Sequence, residues 1–232
     1  MKEVIAKIEN MSKAFPTGEG DFWALKNINL EFLKGEFSGF VGPSGSGKTT
    51  LLNILGSLDT PSKGKVEVLG NKIQELNQRQ ASNLRSEHLG FIFQTYNLLP
   101  VYNVYENVEF PLLLLRMDAG TRDRMVKEAI EWVGLMDKIK SRPNQLSGGQ
   151  CQRVAIARAM VKKPDLVLAD EPTANLDTEN SLNILDTMLN LNKELGTSFI
   201  FSTHDPKVIQ YLRRIIRLTD GEVASDDPAP GI

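Results

Sequence analysis

A chain of 232 residues with 41% hydrophobic and 24% charged residues has the make-up of a globular protein able to bury one substantial core. A net charge of −2 offers no basic field for nucleic acid or an anionic membrane surface, and the single cysteine excludes an intramolecular disulfide. The opening "MKEVIAKIEN" lacks the apolar core of a secretion signal, and apolar runs such as "FPLLLL" at 110–115 are far too short to span a bilayer. Work at a membrane would therefore need another chain to do the spanning.

The N-terminal part reads as β-rich. Val4, Ala6 and Ile8 alternate, and Ile28, Leu30 and Phe32 share a face at period two. "GEFSGFVG" predicts a short strand ending in glycine, followed by a helix over "TTLLNILGSL" and an antiparallel strand from Gly64 over "GKVEVLGNKI". From about residue 97 to 160 the pattern turns helical. There "RDRMVKEAIEWVGL" sets Met125, Ala129 and Trp132/Val133 on one face, and 142–145 is a proline-containing connector. "DLVLAD" and "TSFIFST" are nearly unbroken apolar runs, as in parallel strands covered on both faces. "RIIRLTDGEV" predicts a last hairpin turning at Asp220-Gly221, and "SDDPAPGI" a loose tail. These elements predict an α/β fold: a parallel-sheet core with an antiparallel β subdomain and a helical insertion.

Five stretches carry chemistry. Gly42, Pro43, Ser44, Gly45, Ser46, Gly47, Lys48 and Thr49, with Thr50 behind them, fill the phosphate-loop pattern between a predicted strand and a predicted helix. The glycines allow successive N–H groups to face a phosphate, Lys48 neutralises its oxygens, and the Thr49 hydroxyl is placed to ligate Mg²⁺. The helix N-terminus that follows favours the same anion. Asp170 and Glu171 end the strand "LVLA", where doubly wound sheets bind ligands. Asp170 suits Mg²⁺ and Glu171 suits a general base for an attacking water. His204 and Gln94 also follow apolar β runs. Taken alone, each reads as an ordinary solvated residue.

The fifth stretch, Ser147, Gly148, Gly149 and Gln150, begins another helix, with Ser147 as N-cap. It has no lysine and no feeding strand. It can add donors to a phosphate but cannot hold a nucleotide unaided.

The ordered set "GPSGSGKTT", Gln94, "LSGGQ", "LVLADEP", "ANLD" and His204 resembles the ATP-binding cassette (ABC) ATPases over nearly the whole chain. The resemblance implies a P-loop NTPase fold with a RecA-like parallel sheet. Residues 1–94 and 161–232 would be the ATP-binding core with its β subdomain, and 95–160 the helical subdomain ending in the signature helix. It also implies ATP and Mg²⁺ as ligands. Phe15 would stack on adenine, and the 42–50 segment would hold phosphate. Thr49, Gln94 and Asp170 would serve the metal, Glu171 would be the base, and His204 would contact the γ-phosphate and the water. A second copy would pack head to tail, lending Ser147, Gly148, Gly149 and Gln150 to the neighbour's nucleotide, with Asp177 at the seam.

Stretches such as "YNLLPVYNVYENVEFPLLL" resemble the lipoprotein-releasing and macrolide-exporter-type ATPases. That implies a transport ATPase on the cytoplasmic face of the inner membrane, held there by a separate permease, with no nucleic acid among its partners. The segment around residues 94–111, with Tyr96, Leu98, Leu99, Tyr102 and Tyr105, is the expected docking segment. The alternatives are an ATPase of a non-transport membrane complex, division-associated or signalling, and a soluble ATPase acting on ribosomes or nucleic acid. Ala174 stands where relatives commonly have glycine, a change expected to stiffen the approach to Asp177. Cys151 replaces a usual glutamine and reads as a small packing residue.

Overall fold

The computed structural model describes residues 3–18 and 20–228. Two long strands, β1 (Val4–Thr17) and β2 (Gly20–Leu33), pair antiparallel. With β4 (Lys63–Val68) and the short β5 (Asn71–Lys72) they build a four-stranded sheet in the order β2-β1-β4-β5. The second sheet has the order β10-β9-β3-β8-β7-β6. Its strands are β3 (Phe37–Val41), β6 (Leu89–Ile92), β7 (Leu166–Asp170), β8 (Ser198–Thr203), β9 (Arg214–Thr219) and β10 (Glu222–Pro228). Five of them run parallel, and β10 closes the edge antiparallel to β9.

Alternation along the buried strands supplies both faces of this sheet with apolar side chains. Phe40, Leu168, Ile200 and Ile216 face the core shared with the antiparallel sheet and with α1 (Lys48–Leu55). Phe37, Val167, Ala169, Phe199 and Phe201 face the opposite core, shared with α3 (Val104–Leu114), α4 (Ala119–Trp132), α5 (Gly148–Met160) and α6 (Thr178–Leu195). The helical segment thus joins one continuous apolar layer with the sheet.

Local signals start these helices. Asn103 and Glu106 form a reciprocal capping box on α3, Asp118 caps α4, and Asp177 caps α6. The buried face of α4 centres on Val126, Ala129 and Ile130, so the predicted Met125 and Trp132 lie at its rim. Asn107, wholly buried, accepts from the Leu99 N–H and donates to the carbonyls of Leu99, Tyr102 and Asn103. One side chain thereby organises the loop before α3.

The last hairpin turns at Asp220 (φ 51°) and Gly221 (φ 81°), both left-handed as a two-residue turn requires. The tail departs from expectation. Residues 225–228 complete β10 through pairs that end at Pro228↔Arg214, and Arg214 holds Asp226 with two hydrogen bonds of 2.7 Å. The remainder of the expected loose tail, 229–232, lies outside the described residues. Three further helices are absent from the sequence reading: α2 (Gln78–His88), which buries only Leu84, α6, and the short α7 (Pro206–Tyr211). Among the described residues no helix is long and apolar enough to cross a membrane.

Candidate functional site: a phosphate-loop cleft at the strand ends

The carboxyl ends of β3, β7 and β8 converge on a cleft of about 520 Å³. Phe15, Ser44, Gly45, Gly47, Lys48, Thr49, Thr50, Gln94, Asp170, Glu171 and His204 line it, together with Phe22, Ala24 and Ser202. Gly42, Pro43 and Ser46, the rest of the loop, are not part of this lining: Pro43 is exposed and Ser46 buried.

The loop's shape follows from its glycines. Gly47 caps α1 with φ 99°, a left-handed conformation that L side chains rarely adopt. At Gly42 a Cβ would collide with the Leu218 carbonyl oxygen of the neighbouring strand. Ser46 is 3% exposed and its Oγ has no protein partner, so a polar hydroxyl sits buried inside the cradle. The Lys48 ammonium donates to the Gly42 and Pro43 carbonyls, both at 2.8 Å, and so lies across the loop.

The acidic side of the cleft is tied to the loop. Thr49 Oγ1 donates to the Asp170 carboxylate at 3.0 and 3.2 Å. Among the described residues no group of three or more His, Cys, Asp or Glu side chains forms a metal cage. Thr49, Asp170 and Gln94 are instead an incomplete set of hard oxygen donors. That suits Mg²⁺, which keeps water and phosphate oxygens in its shell.

Glu171 has φ 45°, and its N–H donates to the Ser202 carbonyl at 2.9 Å. Its carboxylate lies 2.6 Å from His204 Nδ1 and accepts from Thr203 Oγ1 at 3.3 Å. Asp205 completes the support, accepting from Thr173 Oγ1 and from the Lys207 N–H while its own N–H donates to Thr203 Oγ1. Sequence reading did not single out Thr173, Thr203 or Asp205. Nothing in their spacing announces a network that closes only when β7 and β8 pair.

Gln94 is anchored through its backbone: its carbonyl accepts from Asn175 Nδ2 at 2.9 Å. Tyr96 and Asn97 beyond it are both left-handed, with φ 60° and 49°, and their carbonyls accept from the Arg158 guanidinium at 2.7 and 2.6 Å. Arg158 projects from α5, the helix that begins at the glycine pair 148–149.

The second glycine-rich stretch lies apart, since none of Ser147, Gly148, Gly149 and Gln150 lines the cleft. Ser147 caps α5 by accepting from the Gln150 N–H, and Gln150 Oε1 reciprocally accepts from the Ser147 N–H. Ser147 and Gly148 are exposed, whereas Gly149 is buried against Asn180. Asp177 is likewise outside the cleft. It accepts from the N–H and side-chain amide of Asn180, and that backbone N–H holds its carboxyl below the usual carboxylate range.

Two further residues gain a physical account. Ala174 has no left-handed backbone, so alanine takes the place of glycine there without strain. Cys151 is buried, its Sγ donates to the Pro143 carbonyl at 3.6 Å, and burial pushes its thiol pKa up. A reactive thiolate needs the opposite shift, so the side chain acts as packing.

Comparison with known proteins shows the family. The family model described as ABC transporter matches residues 25–174. The lipoprotein-releasing system ATP-binding protein LolD of Francisella tularensis is 42% identical over 96% of this chain and 97% of its own. A macrolide export ATP-binding/permease protein MacB of Yersinia pestis is 43% identical over 97% of this chain, which spans only 33% of that longer protein. The ATP-binding cassette MJ0796 of Methanocaldococcus jannaschii has been solved as a dimer in a post-hydrolysis state bound to ADP and Pi. It superposes with a TM-score of 0.90 at 40% identity, covering 98% of this chain and 100% of that one. The chain belongs to the ABC transporter family, as an ATP-binding cassette that hydrolyses ATP.

Proposed function

We propose that the cleft binds one Mg²⁺-ATP, that two copies of the chain close head to tail around two such nucleotides, and that the motion drives a separate membrane permease. One observation carries the proposal. The cleft gathers the phosphate loop, Asp170, Glu171, Gln94 and His204, while the exposed helix start at Ser147 and Gly148 opens elsewhere. An N-terminus with unpaired N–H groups is an anion site waiting for a phosphate, and only a second molecule can bring one.

In this reading Phe15 stacks on adenine and the N–H groups of 42–50 surround the phosphates. Lys48 exchanges two carbonyl partners for β- and γ-phosphate oxygens. Thr49, Asp170 and Gln94 hold the metal, which when bound neutralises charge developing on the phosphates. Glu171 takes the proton of the attacking water, and His204 orients Glu171 and contacts the γ-phosphate. Ser147, Gly148, Gly149 and Gln150 of the second copy complete the donor set, with Asp177 at the seam. Residues 95–160 move as the helical unit.

For the permease, an apolar groove of about 320 Å³ between α2, the end of β6, α3 and α5 is the better dock. Leu58, Phe91, Phe93, Phe110, Pro111 and Leu114 line it. Phe110 and Pro111 belong to the end of the expected docking segment 94–111, whereas its Tyr96, Leu98, Leu99, Tyr102 and Tyr105 do not line the groove, and Leu98 and Tyr105 pack against the core. The likeness to LolD and MacB supports lipoprotein release or export of a peptide or macrolide-like substrate, at the cytoplasmic face of the inner membrane.

Glu171→Gln tests the core of this reading. The variant should bind ATP, elute as an ATP-dependent dimer with light-scattering detection, and lose turnover. Undiminished hydrolysis, or a monomer with ATP bound, would sink it.

A further inference from the structure

Phe22 was not singled out by any sequence motif, yet it lines the same cleft as the phosphate loop. We propose that Phe22 is a second base-binding aromatic of the nucleotide site, and that the cleft therefore holds a nucleobase by its flat face and reads little of its edge. The inference rests on the nucleotide reading of the cleft.

Phe15 and Phe22 are direct partners in the β1–β2 ladder, so their side chains leave the same face of the sheet. Both are exposed, Phe15 at 39% and Phe22 at 58%. Their neighbours Ala14 and Trp23 pair on the opposite face, where Lys63 Nζ sits 4.8 Å from the Trp23 ring centroid.

The two phenylalanines differ in how they are held. Lys13 Nζ lies 5.0 Å from the Phe15 ring centroid, and that ammonium is fixed by Asp59 and the Thr60 carbonyl. One face of Phe15 is therefore occupied and its orientation set. Phe22 makes no aromatic or cation–π pair among the described residues, and its ring is open to a flat ligand.

Strands β1 and β2 contribute Phe15, Phe22 and Ala24 to the lining of the cleft, and none of the three carries a side-chain donor or acceptor. The polar lining belongs to the phosphate loop and the strand ends. Stacking is available to every base because every base has a π-face, whereas discrimination between bases needs hydrogen bonds to their edges. The site should accept GTP nearly as well as ATP.

The test compares ATP, GTP and inorganic tripolyphosphate binding to the full-length protein, Phe22→Ala and Phe22→Tyr, in Mg²⁺ by calorimetry. Phe22→Ala should weaken ATP and GTP by about ten-fold, the scale of one lost base–aromatic contact. Tripolyphosphate, which has no base, should bind as before, and Phe22→Tyr should restore the nucleotides. Because Phe22 is exposed, the melting temperature without ligand should not change. Unaltered ATP binding by Phe22→Ala overturns the proposal, as does wild-type discrimination against GTP of about a hundred-fold or more. If the wild type binds tripolyphosphate but no nucleotide, the base platform fails alone. If it binds neither, the nucleotide reading of the cleft fails with it.

Discussion

His204 Nδ1 stands 2.6 Å from Glu171 Oε1, joining the residues that follow two adjacent parallel strands. The two side chains differ sharply in environment, His204 being 70% exposed and Glu171 14%. A glutamate with φ 45° is held in a conformation that costs free energy, and such strain persists only where the surroundings over-determine it. Here the surroundings are His204, the Thr203 hydroxyl and the Ser202 carbonyl. The carboxylate is thereby fixed in place across the end of the cleft that holds Asp170.

Removing the histidine should expose this dependence. His204→Ala leaves the phosphate loop intact, so ATP affinity should stay within about three-fold, while turnover falls about a hundred-fold, as for loss of a positioned proton-handling group. Steady-state hydrolysis beside equilibrium ATP binding measures both. A proportional loss in the two would mean that His204 serves binding alone.

Arg158 offers a separate lever, since it pins the segment after Gln94 to α5. Its two hydrogen bonds end on carbonyls of residues in left-handed conformations, and burial pulls its pKa below the usual arginine value. Arg158→Leu should destabilise the fold by about 2–3 kcal/mol in urea unfolding, because charge-assisted bonds are lost and carbonyls are left without donors. Arg158→Lys, which cannot fork between two carbonyls, should recover only part of the loss. An unchanged unfolding midpoint in both variants would show that the pin is idle.

These contacts also mark where sequence reading ends. The phosphate loop, Asp170-Glu171 and the Ser147 cap are legible because their chemistry lies within a few consecutive residues. The buried strands declare themselves through unbroken apolar runs. Phe22 is different: it meets Phe15 only after β1 and β2 have shifted register at several points, including between Lys13 and Ala14. A period-two reading cannot supply those bulges. Arg158 meets Tyr96 and Asn97 across roughly sixty residues of chain, and α2, burying Leu84 alone, has no apolar stripe to betray it. The expected docking segment divides for a related reason: Phe110 and Pro111 at its end line the apolar groove, whereas Leu98 and Tyr105 pack against the core. Apolar residues at 96–105 look alike in sequence whether they line a groove or, like Leu98 and Tyr105, pack inward.

Lys162 yields a pH prediction. Its ammonium donates to the Arg85 and Ser86 carbonyls at 2.5 and 2.7 Å, in the last turn of α2, where a cation is favoured by the helix end. Burial works against it and lowers its pKa from 10.5 to about 8, with nearby Glu87 pulling the other way. Between those two values the unfolded chain holds a proton that the folded one has released, so this group makes stability rise with pH through that window. Below the window both states are charged and the folded state bears the full burial penalty, of at most about 3 kcal/mol. Cys151 acts oppositely: its raised thiol pKa makes the folded state retain a proton that the unfolded chain loses around the ordinary thiol value of 9.0. The informative quantity is therefore the difference between wild type and Lys162→Met, since both contain Cys151. Lys162→Met leaves two carbonyls without a donor, a cost of about 1 kcal/mol that does not vary with pH. Urea unfolding at intervals from pH 7 to 10.5 should show wild type gaining on Lys162→Met as pH rises. A constant difference would mean that the two carbonyl contacts hold the ammonium at its ordinary pKa despite burial.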